Sequence, residues 1–239
     1  RPSVFTSATL GTGDRDLNYF RFRVGADETE SIQIGSPFDY PRQMKIHLVK
    51  NMPQPNEPGY DAALAKWIQE FTMKSGGRAF VLFTSYKLLQ KTAEELRGFF
   101  SDQGWKLLVQ GQGTPRAQLV DEFKKDETSV LFGTDSFWTG VDVPGKSLSN
   151  VIITRLPFAV PDHPLTQARL ELIEDRGGNP FMEYSVPEAI LKLRQGVGRL
   201  IRNEDDKGMV VILDNRVLTK RYGKAFLNAL PDAPVEISD

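Results

Sequence analysis

From about residue 60 onward, short apolar runs alternate with stretches that carry an apolar stripe at helical spacing. The runs RAFVLFTS (78–85), KLLVQG (106–111), SVLFG (129–133), NVIITRL (150–156) and MVVILD (209–214) predict strands covered on both faces. Helices are predicted over 61–74, with Leu64, Trp67, Ile68 and Phe71 on one stripe, and over 86–102, with Leu89, Leu96, Phe99 and Phe100. Thr114 reads as an N-cap with Pro115 first in a helix to about Lys125. Ser185-Val186-Pro187-Glu188 reads as a capping box for a helix from Pro187 to about Asn203, and a last helix spans about 218–230 before Pro231. Residues 33–60 are dense in Pro, Gly and Asn and predict loop around one strand, MKIHLVK (44–50). Strands alternating with helices imply an α/β fold, a mainly parallel sheet with helices on both faces.

Composition narrows the chemistry. The chain has 239 residues, with 30 Lys and Arg against 31 Asp and Glu for a net charge of -1, so any anionic ligand needs a local cluster of cations. There is no Cys and there are two His, His47 and His163, which excludes disulfides and thiol nucleophiles and argues against a metal centre. A reducing compartment is compatible with that usage. No apolar run is long enough for a membrane span, and the opening RPSVFTSATL has neither an initiator Met nor a signal peptide, so the sequence reads as an internal fragment.

GVDVPGKS (140–147) fits the phosphate-loop pattern G-x-x-x-x-G-K-[ST], and Asp214 could end an acidic strand beside it. A working phosphate loop joins a strand directly to a helix whose N-terminal amides face phosphate. Here TDSFWT intervenes after the strand, and SLSNVIITRL after Lys146 has strand content. A strand-loop-strand connection is the expectation, with a self-contained nucleotidase built on Gly140 to Ser147 as the alternative. For Asp214 a structural role at a strand end is preferred.

QGVGRLIR (195–202) is the stronger constellation. At about 100° per residue, Gln195, Arg199 and Arg202 fall within an arc of about 60° on a helix. Ile190, Leu193, Val197, Leu200 and Ile201 then take the opposite, sheet-facing side. Two guanidiniums a turn apart suit polyphosphate oxygens. Gly196 and Gly198 each cost about 1 kcal/mol of helix propensity, so they call for a close approach by another segment. A solvated basic face is the competing reading.

These residues resemble motif VI of superfamily 2 helicases, in particular the DinG/XPD-like DNA helicases. In the family's order, TSATL (6–10) is similar to motif III, FVLFTSY (80–86) to motif IV and GTDSFWTGVDVPG (133–145) to motif V, while ITRLPFAVPDHP (153–164) resembles the segment after motif V in bacterial DinG-type members. The resemblance implies a RecA-like second motor domain over 11–239, lacking its own phosphate loop, with 1–10 a strand of the preceding motor domain. It implies ATP with Mg2+ bound mainly by that first motor domain of the same polypeptide, in the cytoplasm of a bacterium. Any iron–sulfur cluster would belong to upstream sequence.

The resemblance also implies roles. Arg199 and Arg202 would reach the γ-phosphate across an interdomain cleft, Gln195 would orient phosphates or the attacking water, and Gly140 and Asp142 would couple motif V to the nucleotide. Without the family, Asp142 reads equally as a turn cap. Thr139 departs from the acidic residue many relatives carry there. For single-stranded DNA, or DNA with a 5′ tail, the candidates are Thr84, Ser85 and Tyr86, Gln112 and Gly113, and Phe137 and Trp138, all near strand ends. Arg155 is a further candidate. Core burial competes for Phe137 and Trp138, and pairing with Glu171 or another surface acid competes for Arg155. The expected function is the C-terminal motor of a DinG-type, 5′ to 3′ DNA helicase, with a non-catalytic nucleic-acid-binding module as a third class.

Overall fold

The computed structural model describes residues 3–13, 17–138, 143, 145–160 and 163–239. Its strands are β1 (Met44–Val49), β2 (Ala79–Leu82), β3 (Leu107–Val109), β4 (Val130–Gly133), β5 (Asn150–Ile153), β6 (Gly208–Ile212) and β7 (Val235–Ser238). They form one sheet of seven in the order β3-β4-β2-β5-β6-β1-β7, and every pairing is parallel. The helices are α1 (Asn18–Val24), α2 (Tyr40–Gln43), α3 (Tyr60–Ser75), α4 (Tyr86–Asp102) and α5 (Arg116–Lys125). They continue as α6 (Asp135–Trp138), α7 (Pro164–Asp175), α8 (Val186–Val197), α9 (Arg216–Thr219) and α10 (Gly223–Asn228).

The period-2 alternation within the apolar runs assigns the two sheet faces. Phe80, Leu82, Leu131, Val151, Ile153, Val210 and Ile212 point to a core shared with α5, α6, α8 and α10. Val81, Phe83, Val130, Phe132, Ile152 and Val211 point to a second core under α3 and α4. The expected architecture, a parallel sheet with helices on both faces, is the one observed.

Several boundaries differ from expectation. The strands at 78–85 and 150–156 each hold only four paired residues, because the chain bends beyond Phe83 and Ile153. Pro115, rather than Thr114, occupies the cap position of α5, in extended geometry with no side-chain capping bond. Ser185 is already helical and caps nothing. The capping pair lies upstream, where Asn179 Oδ1 accepts the Met182 amide at 3.1 Å and Glu183 Oε1 accepts the Asn179 amide at 2.8 Å. A π-helical turn, Phe181–Ser185, then leads into α8. The last predicted helix is broken into α9 and α10, where Gly223 sits so close to α9 that a Cβ would stand 2.2 Å from the Val217 carbonyl oxygen. Strand β7 is an addition, paired along β1 from Ile46 opposite Val235. Residues 3–10 add no strand to the sheet.

Candidate nucleotide and nucleic-acid sites

Helix α8 ends at Val197, so Gln195 sits on its last turn while Arg199 and Arg202 lie beyond it. The predicted helical arc of three polar residues therefore does not form. Two weak helix formers, Gly196 and Gly198, flank the end, and the Leu200 amide turns back to the Val197 carbonyl at 3.1 Å. Gly196 owes its place to side chains: a Cβ would lie 3.0 Å from Trp138 Cε3 and 3.1 Å from Leu82 Cδ1.

Beyond the helix the chain is held firmly. Asp206 accepts the amides of Arg202 and Asn203 at 2.8 and 3.1 Å, and Asn203 Oδ1 accepts those of Asp205 and Asp206. Gln43, a buried residue of α2, donates Nε2 to the carbonyls of Asn203, Glu204 and Asp206. The segment NEDDKG (203–208) is a mostly exposed turn anchored from below, and Gln43 gave no motif that would have singled it out.

The structure does bring the motif residues together. Arg194, Gln195, Gly198, Arg199, Ile201 and Arg202 line one wall of a wide groove, and the N-terminal segment, including Ser7, Ala8 and Thr9, lines the other. Arg199 is 3% exposed, with its guanidinium 5.8 Å from the Phe80 ring centre, whereas Arg202 is exposed. The Arg194 guanidinium donates to the Gly11 carbonyl. At the other end of α8, Glu188 accepts from Tyr19 and from Arg23, the latter at 2.8 Å, and so ties down α1. Burial, then the Glu188 carboxylate, raises the Tyr19 phenol far above its usual range, so it remains a donor.

Gly140 and Asp142, together with Thr139, lie outside the described residues. After them Gly145–Ser147 is a single 3-10 turn and β5 begins at Asn150, so no helix follows Lys146. Ser147 is buried and donates Oγ to the Lys124 carbonyl at 2.9 Å. Among the described residues the helix that a phosphate loop needs after Lys146 is lacking, which argues against the stand-alone nucleotidase. Asp214 is fully buried, forks onto Arg216 at 2.8 and 2.6 Å and accepts the Leu156 amide at 2.8 Å. It is a structural residue, as preferred from sequence.

The remaining candidates gather at the C-terminal edge of the sheet. Ser85 caps α4, accepting the Leu88 amide at 3.3 Å, with Thr84 half-buried before it. Tyr86 is exposed and donates its hydroxyl to the Gly111 carbonyl at 3.0 Å. Gln112 and Gly113 are exposed beside it, Gln112 bonding to Gln90 and Arg97. A residue not foreseen, Gln110, joins two strand ends: its Oε1 accepts the Thr134 amide at 2.7 Å and its Nε2 donates to Ser136.

Phe137 and Trp138 are corrected by their packing. Both are 0% exposed, and Trp138 donates its indole N–H to the Phe83 carbonyl at 3.0 Å. Neither offers a face to a base. α6 turns their rings inward against Phe80 and Gly196, which leaves Asp135 outside to pair with Lys192 at 2.6 Å. Arg155 does not pair with Glu171. It donates Nε to the Tyr60 hydroxyl at 3.1 Å. No group of three or more potential metal ligands occurs among the described residues.

Comparison with known proteins accords with this geometry. The model of the helicase C-terminal domain matches residues 68–233. Among curated proteins, the ATP-dependent DNA helicase YoaA of Escherichia coli (strain K12) is 45% identical over 231 residues, which is 97% of this chain and 36% of that protein. The protein named 3'-5' exonuclease DinG in Bacillus subtilis (strain 168) is 40% identical over 243 residues, 99% of this chain and 26% of that protein. The chain thus spans about a third or less of these relatives' length. In fold it is similar to a solved XPD helicase, with a TM-score of 0.62 at 18% identity, covering 82% of this chain and 35% of that one.

Proposed function

Because the chain belongs to the helicase C-terminal domain family, in its DinG/XPD-like branch, we propose that it is the second motor domain of an ATP-dependent DNA helicase. It works against a first motor domain of the same polypeptide and completes a nucleotide site in the cleft between them. The observation that carries this reading is the convergence of Gln195, Arg199 and Arg202 with Ser7, Ala8 and Thr9 on one groove.

Two guanidiniums and a carboxamide beside an open groove fit a polyphosphate, since their planar donor forks match phosphate oxygens. ATP with Mg2+ supplies the phosphoryl chemistry, and the metal is held mainly by the preceding motor domain. Arg202 reaches the γ-phosphate from its exposed position and offsets charge as transfer proceeds. Arg199 supports it from the buried end of the groove. Gln195 orients phosphate or water, and Gly140 and Asp142 link motif V to the nucleotide. At the strand edge, Thr84, Ser85, Tyr86, Gln112, Gly113 and Arg155 hold single-stranded DNA by its backbone, and the family resemblance gives 5′ to 3′ movement along it.

Single-stranded-DNA-stimulated ATPase of the full-length protein tests the assignment. Arg202→Ala is expected to lower kcat by about 10³-fold or more, with protein stability and DNA affinity retained. Wild-type kcat in that variant would remove Arg202 from the nucleotide site.

A further inference from the structure

Arg155 follows β5 at the C-terminal edge of the sheet, and Tyr60 fixes it there. The Tyr60 side chain is 2% exposed, and its ring centre lies 4.5 Å from the Arg155 guanidinium carbon. Its hydroxyl donates to the Thr154 carbonyl at 2.9 Å while accepting Arg155 Nε at 3.1 Å. Burial raises the phenol to about 12, which keeps the hydroxyl a donor. The Nε bond uses one of the five guanidinium donors, and no hydrogen bond from the two terminal amino groups is found among the described residues.

The lack of a paired carboxylate leaves those donors for an external anion at the cavity rim. No carboxylate pairs with Arg155 among the described residues. The acids that line the adjoining cavity of ≈ 620 Å³ are Glu57, Asp61 and Glu95. Asp61 is taken by Lys91 at 2.6 Å and Glu57 by the Gln54 amide at 2.7 Å, while Glu95 adds its pull on Lys91. Meanwhile the β2–β5 register sets Leu82 beside Ile153, and two residues further along each chain come Thr84 and Arg155. The turn that carries Thr84, Ser85 and Tyr86 and the guanidinium therefore share one edge.

We propose that Tyr60 is a positioning residue that holds Arg155 ready for a sugar–phosphate backbone passing from the Thr84 turn along the sheet edge. The proposal rests on the motor-domain reading above. A phosphate bound by an immobilised guanidinium gains more than one met by a mobile side chain, because less rotamer freedom is lost on binding.

The test uses the full-length protein and a fluorescein-labelled oligothymidylate, with anisotropy measured over a series of KCl concentrations. Arg155→Ala is expected to weaken binding several-fold and reduce the salt slope by about one. Tyr60→Phe, which keeps the ring and removes the hydroxyl, is expected to weaken binding about threefold and to have no further effect in the Arg155→Ala background. Equal effects of Tyr60→Phe in both backgrounds, or none in either, would overturn the positioning role. Unchanged affinity and slope in Arg155→Ala, with Thr84→Ala weakened, would overturn the inference and leave the motor-domain reading intact. Failure of the wild-type protein to bind the oligonucleotide would remove both.

Discussion

Gly111 shows how a single backbone position shapes the strand edge. Its φ is +85°, and a Cβ there would lie 1.6 Å from the Tyr86 hydroxyl oxygen. Alanine would meet both the left-handed strain and the tyrosine, so Gly111→Ala is expected to cost about 1–3 kcal/mol of stability and release Tyr86 from the turn. Urea unfolding measures the cost, and a midpoint equal to wild type would show that the turn relaxes freely. The same scale explains why Phe137 and Trp138 misled. Sequence placed them correctly just after a strand, yet a four-residue helical turn rotates both rings into the core, and nothing in the letters TDSFWT announces that turn. Tyr60 is the converse case: it lay in the stretch read as loop, and its partner Arg155 is 95 residues away, so only tertiary structure joins them.

At the scale of elements, the buried strands were legible because four to six apolar residues in a row can be satisfied in few other ways. Element ends were less so, since they depend on partners remote in sequence: the stop of α8 on Asp206 and Gln43, the break between α9 and α10 on the approach of Gly223 to Val217. Strand β7 escaped because its side chains are mostly exposed and carry no apolar run. Its attachment to β1 makes a pH prediction. His47 of β1 is buried, with Nδ1 3.5 Å from a Glu236 oxygen of β7, and burial lowers its pKa below the ordinary 6.5 despite the opposing pull of Glu236. The unfolded chain therefore binds a proton near pH 6.5 that the fold resists, so stability is full above that pH and falls as pH drops through it. Glu236, held below its ordinary 4.5 first by Lys45, loses its contribution only in a more acidic window. Urea midpoints between about pH 7.5 and about pH 5.5 should decline, and His47→Leu should flatten that decline while leaving the loss at lower pH. An identical slope in His47→Leu would show that another group carries it.

For the molecule as a whole, sequence anticipated six of the seven strands and the family, but not how Arg199 and Arg202 are displayed. Arg199 and Arg202 were expected as a pair on one helical face, whereas one is buried against Phe80 and the other stands exposed on a turn held by Asp206. Two candidate surfaces result, the groove beside α8 and the C-terminal strand edge, and α6 connects them: Trp138 packs on Gly196, and Thr134 just before it is bonded to Gln110. The groove brings together cations of the kind a polyphosphate needs, whereas Lys146 sits in a 3-10 turn that precedes a strand rather than a helix. On the proposed reading the groove holds half a nucleotide site, since guanidiniums alone neither position a nucleophilic water nor hold Mg2+. The isolated chain should accordingly fold and unfold cooperatively around its single sheet yet hydrolyse ATP at the buffer rate, and Lys146→Ala should change nothing. Steady-state phosphate release by the purified chain checks this: hydrolysis above background that is abolished by Lys146→Ala and indifferent to Arg202→Ala would return the catalytic centre to the 140–147 segment and refute the two-domain site.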